Sequence, residues 1–266
     1  MTPAQIHQPQ EFNLLTQIYE IQTPEEAEAM IGLGVEHIGS VILNADDCRQ
    51  PGLLDVVNTI RDSTSKSSII PLFVDFEVIC KVLDYYRPDI LHFSDYLCGS
   101  SGVLPVCENH LELQSKIRDK YPGLALMRAI PIAQAGQGSC LPSLEVAKLF
   151  EPISDYFLLD TCIVSDPTKA HNGHPPGEGF IGITGRVSDW PTARSVVQKS
   201  RIPVILAGGL SPANVQSAIH AVMPAGVDSC MQTNARDANN KPIRFQKCME
   251  RTRQFIEKAR SASITA

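Results

Sequence analysis

The sequence predicts a single (β/α)8 barrel, which is an α/β fold. Eight short apolar segments alternate with eight segments of helical periodicity over 266 residues, and no linker-like change in composition separates them. A length of about 250 residues is typical of one such barrel. An open doubly wound sheet is the alternative, but it usually has fewer strands and a glycine turn after its first strand, where this chain has Glu20, Ile21 and Gln22.

The predicted strands are apolar or alternating runs bounded by polar or glycine-containing turns. The run at 204–207 is uninterrupted, which is typical of a strand covered on both faces in a parallel sheet. In order, the predicted strands cover residues 14–21, 37–43, 69–76, 90–93, 124–130, 156–160, 204–207 and 226–230.

The predicted helices carry apolar residues at i, i+3, i+4 and i+7, the pattern of a helix with one face against a sheet. The first is preceded by Thr23, Pro24 and Glu26, a capping box with proline at the first helical position. The other helices are predicted around residues 53–60, 79–86, 113–121, 143–150, 193–197, 215–222 and 243–261.

The barrel is expected to span residues 14–261, with a polar N-terminal arm at 1–13 and a frayed tail at 262–266. The longest loop, 162–180, is polar and rich in proline and glycine. Such a loop is a candidate for a functional or mobile segment at the barrel mouth.

Charge and composition favour a small soluble partner. Lys and Arg number 23 against 29 Asp and Glu, a net charge of -6, and no basic run is present. Nucleic-acid binding therefore has no electrostatic support. The first residues lack a basic start and an apolar core, and no apolar run approaches the ~20 residues that span a bilayer, so a cytoplasmic protein without membrane association is expected. Assembly into a homo-oligomer is left open.

The eight cysteines contain no C-x-x-C pair and are spread along the chain, as in reduced intracellular proteins. We expect neither disulfides nor a zinc site, and no cofactor. His171 and His174 lie three residues apart in the long loop, but no third ligand accompanies them, and a solvated loop is the favoured interpretation.

A glycine turn after the seventh strand is the strongest candidate for a binding site. Gly208 and Gly209 let backbone N–H groups approach a ligand, and Ser211 followed by Pro212 predicts an N-cap and helix start. Helix N-termini attract anions, and barrels often bind phosphate at the loops after strands seven and eight. An ordinary strand-to-helix turn is the alternative; the barrel context favours a small phosphorylated substrate.

The sixth predicted strand ends on Asp160. A carboxyl at the end of an apolar strand is partly desolvated, which favours its protonated form and suits a general acid. A helix-capping or loop-organising aspartate is the alternative interpretation of the same position.

Several segments together resemble the phosphoribosylanthranilate isomerase family. These are GITGRVSDW at 182–190, PVILAGGLSPANV, AGVDSCMQTN, YFLLDT, and the segment QIYEIQTPEEAEAMIGLGVEHIGSVIL. The resemblance is strong over 180–229, moderate over 17–43, and follows the order of the whole barrel. It implies an Amadori rearrangement, in which an acid protonates the ring oxygen of an aminoaldose phosphate and a base removes a proton from the sugar carbon.

The resemblance also implies roles for individual residues. Asp160 matches the family's general acid, and Asp228 matches an aspartate that contacts the anthranilate amine. Gly208 and Gly209 match the phosphate turn. The other positions expected to bind substrate are Gly185, Arg49, Ser211, Cys230 and Met231.

Two departures from the family pattern bear on activity. Where the family has Lys-x-Cys-Gly at the end of strand one, with the cysteine as base, this chain has Tyr19 and Glu20 at the last two positions. Either is expected to act as the substitute base. Cys230, Met231 and Gln232 replace Ser-Ser-Gly after strand eight.

These departures lead us to expect altered or lost standard activity. The alternatives are a non-catalytic binding or interaction protein on the same scaffold, and an epimerase or lyase acting on another phosphorylated substrate.

Overall fold

The computed structural model describes residues 14–138, 140–163 and 181–263. Eight parallel strands close into a barrel in which each strand pairs with its sequence neighbours and the last pairs with the first. The predicted (β/α)8 barrel is therefore confirmed. The predicted N-terminal arm lies outside the described residues, as do most of the long loop and residues 264–266.

The barrel strands are numbered β1 to β8 and the helices that follow them α1 to α8. The strands are Leu15–Ile18, His37–Ile42, Lys66–Pro71, Ile90–Phe93, Ala125–Ala133, Tyr156–Cys162, Val204–Leu206 and Gly226–Ser229. The helices are Pro24–Gly32, Pro51–Arg61, Phe76–Tyr86, Val106–Lys120, Ser143–Phe150, Trp190–Lys199, Val215–Val222 and Met249–Ser263. None of these helices is long and apolar enough to cross a membrane.

The barrel interior changes from apolar to polar along its axis. Ile90, Met127, Leu158 and Ile205 form a buried cluster contributed by four successive strands. Because side chains alternate along a strand, His92 lies two residues above Ile90 on the same face of β4. The helices cover the outside of the sheet with a much larger apolar cluster. The fold thus closes one end of the barrel and leaves polar groups near the carboxyl ends of the strands.

The third strand was predicted too late in the chain. It runs over Lys66–Pro71, whereas residues 72–75 form a loop and Phe76 begins α3. Asp75 caps this helix, since its side chain accepts a hydrogen bond from Val78 N at 2.9 Å. The apolar residues of the loop look like the continuation of a strand. The serines at the start of the true strand are buried but polar, so they did not look like part of an apolar strand.

The start of the eighth helix was also predicted wrongly. Pro242–Lys247 is a strand that pairs antiparallel with Asn234–Arg236, and α8 begins at Met249. Phe245 has a left-handed backbone at φ +58, which a helix cannot contain. This additional hairpin, which we call the 234–247 hairpin, lies between β8 and α8. At the other end of the helix, α8 continues to Ser263.

Capping was predicted correctly at α1 and incorrectly at α7. The Thr23 side chain accepts from Glu26 N at 3.3 Å, as the capping box requires. By contrast, α7 begins at Val215 with Asn214 as its N-cap. Ser211 instead closes the preceding turn, where its Oγ accepts from Ala213 N at 3.2 Å.

Candidate active site

Two adjoining cavities open at the carboxyl ends of the barrel strands. The first, of about 320 Å³, is called the polar cleft and is lined by Asp160, Ile183, Thr184, Gly185, Gly208, Gly209, Leu210, Asp228, Ser229, Cys230, Met231 and Gln232. The second, of about 660 Å³, is called the apolar chamber and is lined by Tyr19, Glu20, Val41, Ile70, Leu72, His92, Ser94, Ala129, Leu158, Asp160, Ile181, Ile183, Asp228 and Cys230. Asp160, Ile183, Asp228 and Cys230 line both, so they mark the junction.

Two carboxylates face this junction. Asp160 Oδ1 accepts from Thr161 N at 2.6 Å, and Asp228 Oδ1 accepts from Gln17 Nε2 at 3.2 Å. Burial raises the pKa of Asp160 to about 6. Burial also raises the pKa of Asp228 to about 8, with a further contribution from the charge of Asp160. Between pH 6 and 8 the pair therefore holds one proton, which equips it for both donation and acceptance.

Gly182 is the residue that allows the loop after β6 to cover Asp160. Its backbone is left-handed at φ +97. A Cβ atom at this position would lie 2.3 Å from Asp160 Oδ2, far inside van der Waals contact. Only glycine satisfies both requirements, so the loop and the carboxylate are matched to each other.

The glycine turn that the sequence predicted follows β7, and both of its glycines have a left-handed backbone. Gly208 and Gly209 have φ values of +85 and +61. A Cβ on Gly208 would lie 2.3 Å from Thr161 Oγ1, and one on Gly209 would lie 2.7 Å from the Arg186 backbone. The N–H groups of Gly209 and Leu210 have no hydrogen-bond partner among the described residues. The turn therefore offers backbone donors at the wall of the polar cleft.

The remaining predicted binding residues divide into two groups. Gly185, Cys230 and Met231 line the polar cleft. Ser211 and Arg49 line neither cavity. The Arg49 guanidinium lies 5.6 Å from the centre of the Tyr85 ring, on the exposed surface.

Tyr19 is the residue at the position of the family's cysteine. Its Oη lies 2.6 Å from Ser68 Oγ and 2.8 Å from His92 Nδ1. Burial raises the pKa of the Tyr19 phenol well above its ordinary value of 10. Tyr19 is therefore a neutral phenol at physiological pH, which makes it a poor proton acceptor.

Glu20 follows with a left-handed backbone at φ +67 and a fully buried side chain. Its carboxylate accepts from Asn234 Nδ2 at 2.7 Å, from Phe245 N at 3.2 Å and from Arg244 Nε. All three donors come from the 234–247 hairpin. The strained backbone conformation, which costs roughly 1–3 kcal/mol, is thus maintained by an ion pair that the hairpin supplies. These contacts indicate a structural role for Glu20.

Sequence reasoning missed the residues that organise this region from a distance. Lys247 donates from Nζ to Cys230 O at 2.9 Å and holds the turn after β8. Gln17 donates to Asp228, and its Oε1 lies 3.1 Å from His37 Nδ1. Strand alternation from Tyr19 places Gln17 inside the barrel and was the available signal. No comparable signal existed for Lys247, because its strand was predicted as helix.

The structure gives one result for the Cys230 thiol and another for metal binding. Burial raises the pKa of the Cys230 thiol well above its ordinary value, so the thiol stays protonated. Within the described ranges, no group of three or more His, Cys, Asp or Glu side chains is arranged to hold a metal ion. His171 and His174 lie outside those ranges.

A closed eight-stranded barrel with paired, pKa-shifted carboxylates at the carboxyl ends of its strands defines a (β/α)8-barrel enzyme. Residues 141–231 match the family model described as N-(5'phosphoribosyl)anthranilate (PRA) isomerase. The chain is 40% identical over 255 residues to N-(5'-phosphoribosyl)anthranilate isomerase 1 of Methanosarcina mazei, covering 91% of this chain and 92% of that protein. It is 31% identical over 244 residues to the enzyme of Methanocella arvoryzae, covering 90% and 94%.

The fold agrees with these relatives. A solved phosphoribosylanthranilate isomerase in complex with reduced 1-(o-carboxyphenylamino)-1-deoxyribulose 5-phosphate superposes with a TM-score of 0.61 at 19% identity, covering 93% of this chain and 99% of that one. At that identity the likeness shows the fold alone. The two sequence relatives show that this chain belongs to the phosphoribosylanthranilate isomerase family.

Proposed function

We propose that this protein is an isomerase that converts N-(5'-phosphoribosyl)anthranilate to the corresponding 1-amino-1-deoxyribulose 5-phosphate by an Amadori rearrangement. The observation that carries the proposal is the placement of Asp160 and Asp228 at the junction of a polar and an apolar cavity. The names of the relatives support the same activity.

The two cavities match the two ends of this substrate. The polar cleft offers backbone N–H groups at the glycine turn for the phosphate, while lining residues such as Val41, Ile70 and Leu72 of the apolar chamber suit the aromatic ring. The sugar carbons then lie between them, next to the two carboxylates.

The proposed chemistry uses the single proton that the carboxylate pair holds. The higher pKa of Asp228 places the pair's proton mostly on Asp228, so the reaction proceeds through the minor tautomer in which Asp160 is protonated and Asp228 is ionised. In that tautomer Asp160 donates to the furanose ring oxygen, the C1–O bond breaks, and the amine nitrogen forms an iminium ion with C1. Ionised Asp228 then removes the proton from C2 to give the enolamine, which tautomerises to the ketone. The pair carries one proton before the first step and one after the second, so no net proton is required.

Asp228 replaces the cysteine base in this scheme. Tyr19 occupies the cysteine position but is held neutral, and the carboxylate of Glu20 is engaged by the hairpin. We therefore assign structural roles to Tyr19 and Glu20, in place of the base role predicted from the sequence. Asp160 keeps the role of acid that the resemblance implied.

The direct test is turnover of phosphoribosylanthranilate, followed by loss of anthranilate fluorescence at high enzyme concentration. Conversion by the wild type but not by Asp160→Asn would support the proposal. The alternative is a binding protein, favoured by the tyrosine in the cysteine position. It predicts that the wild type binds a reduced product analogue and shows no turnover at any pH from 5 to 9.

A further inference from the structure

Two buried polar atoms on β4 and the residue just after it face the apolar chamber without a partner. His92 Nε2 and Ser94 Oγ make no hydrogen bond within the described part of the chain. The residues are 1% and 6% exposed, and both line the chamber. A buried polar group without a partner is unfavourable, so two such groups two residues apart on the same side of the chain indicate a site that a ligand completes.

The hydrogen-bond partners of Ser68 and Tyr19 decide which ring nitrogen of His92 carries the hydrogen. Within the described residues, Ser68 Oγ has Tyr19 Oη as its partner, so the serine proton is donated to Tyr19. The phenol proton is then directed to His92 Nδ1, which accepts it. In the neutral ring the remaining nitrogen, Nε2, carries the hydrogen. The chain Ser68, Tyr19, His92 therefore ends in an N–H donor that faces the chamber.

The charge state of His92 agrees with this arrangement. Burial lowers the pKa of His92 to about 3, and the positive charge of buried Arg128 acts in the same direction. His92 is therefore a neutral donor near neutral pH. Arg128 itself is paired with Asp95 at 2.6 Å and does not line the chamber, so His92 presents a hydrogen bond and no charge.

The position of the two donors identifies the part of the ligand that they meet. Both line the apolar chamber and neither lines the polar cleft, so they lie on the side of the ring and away from the phosphate. Arg49, the cation that the sequence offered, lies on the outer surface over Tyr85. The two groups therefore offer hydrogen bonds from neutral donors to an acceptor carried by the ring.

We propose that His92 Nε2–H and Ser94 Oγ–H bind the ring carboxylate of the substrate and select ortho-carboxylated aromatic amines over uncarboxylated ones. This assignment rests on the proposed function, since it takes the aromatic ring to occupy the chamber.

The test measures binding of two probes by calorimetry. One is reduced 1-(o-carboxyphenylamino)-1-deoxyribulose 5-phosphate, and the other is the same molecule without the carboxyl group. The wild type is expected to prefer the carboxylated probe by at least about tenfold, the value of one hydrogen bond to a charged group. Ser94→Ala and His92→Asn should each lose about tenfold in affinity for the carboxylated probe and bind the other probe unchanged.

The variants are chosen to separate recognition from folding. Asparagine at position 92 can still accept from Tyr19 at the Nδ1 position but does not reach the place of Nε2. Glutamine does reach it, so His92→Gln should retain more of the preference than His92→Asn. His220→Gln, at an exposed position on α7, is the matched control and should change neither affinity.

Different results overturn different claims. Equal losses for both probes, or no loss for either, would overturn the carboxylate assignment and leave the isomerase proposal standing. Failure of the wild type to bind either probe would overturn both.

Discussion

The ring of Tyr19 lies directly against Gly39 on the neighbouring strand, where a Cβ atom would come within 2.1 Å of Tyr19 Cδ1. β2 thus has no side chain at the position where the ring of Tyr19, the residue just after β1, packs against it. The tyrosine in the family's cysteine position is compatible with the fold because of this glycine. A cysteine at position 19 would not need that space.

This relationship predicts non-additive stability effects. Gly39→Ala should destabilise the protein by about 1–3 kcal/mol or more, because the added methyl group forces the ring from its place. In a Tyr19→Cys background the same change should be nearly neutral, since the ring is gone. Chemical denaturation of the four proteins measures the coupling. Gly32→Ala, where a Cβ meets nothing within 4 Å, is the control and should not destabilise.

The carboxylate pair predicts a bell-shaped pH dependence of kcat/KM. Below about pH 6 both Asp160 and Asp228 are protonated and no base remains. Above about pH 8 both are ionised and no acid remains. Activity should therefore be highest between these values. Steady-state rates from pH 5 to 9 test this, and a profile that continues to rise above pH 8 would argue against a protonated carboxylic acid in the reaction.

Removing either carboxyl charge should separate chemistry from binding. Asp160→Asn and Asp228→Asn should each lower kcat by about 10²–10⁴-fold, the usual contribution of a general acid or base. Affinity for the reduced product analogue should change much less, because the phosphate and ring contacts remain. If affinity falls as far as kcat, the two aspartates act in binding and not in proton transfer.

Asp228→Asn should also change how stability depends on pH. The folded-state pKa of Asp228 is raised above the unfolded value, so the native protein binds its proton more tightly, and the stability that this provides is lost as the pH rises through about 8. At pH 9 the wild type buries a charge that the asparagine variant lacks. The variant should then be more stable by on the order of a few kcal/mol, with the gap closing toward pH 6. Urea unfolding at both pH values measures it, and a gap independent of pH would contradict the shift.

The ion pair between Glu20 and Arg244 should also show coupling, of the same sign as that between Tyr19 and Gly39. Arg244→Met leaves a buried carboxylate with fewer donors and should cost about 1–3 kcal/mol. Adding Glu20→Gly should recover part of this loss, because the charge disappears and glycine adopts the left-handed backbone without strain. Thermal unfolding of the single and double variants decides the point. A double variant as destabilised as the sum of the singles would show that the pair is not coupled.

Local sequence features correctly predicted the elements that are stabilised by contacts between residues close together in the sequence. The capping box at Thr23 and the helix Ser143–Phe150 were predicted correctly. Predictions failed where distant partners decide structure. Residues 243–247 look helical in isolation but form a strand, because they pair with Asn234–Arg236 and supply Arg244 to Glu20.

The sequence by itself determined the (β/α)8 barrel and the positions of Asp160, Asp228 and the glycine turn, because alternation, helical periodicity and backbone requirements are read within a few neighbouring residues. Only the tertiary structure decided what Tyr19, Glu20 and His92 do. Their contacts depend on Ser68, Arg244 and the chamber walls, which are remote in sequence and brought within hydrogen-bonding distance by closure of the barrel.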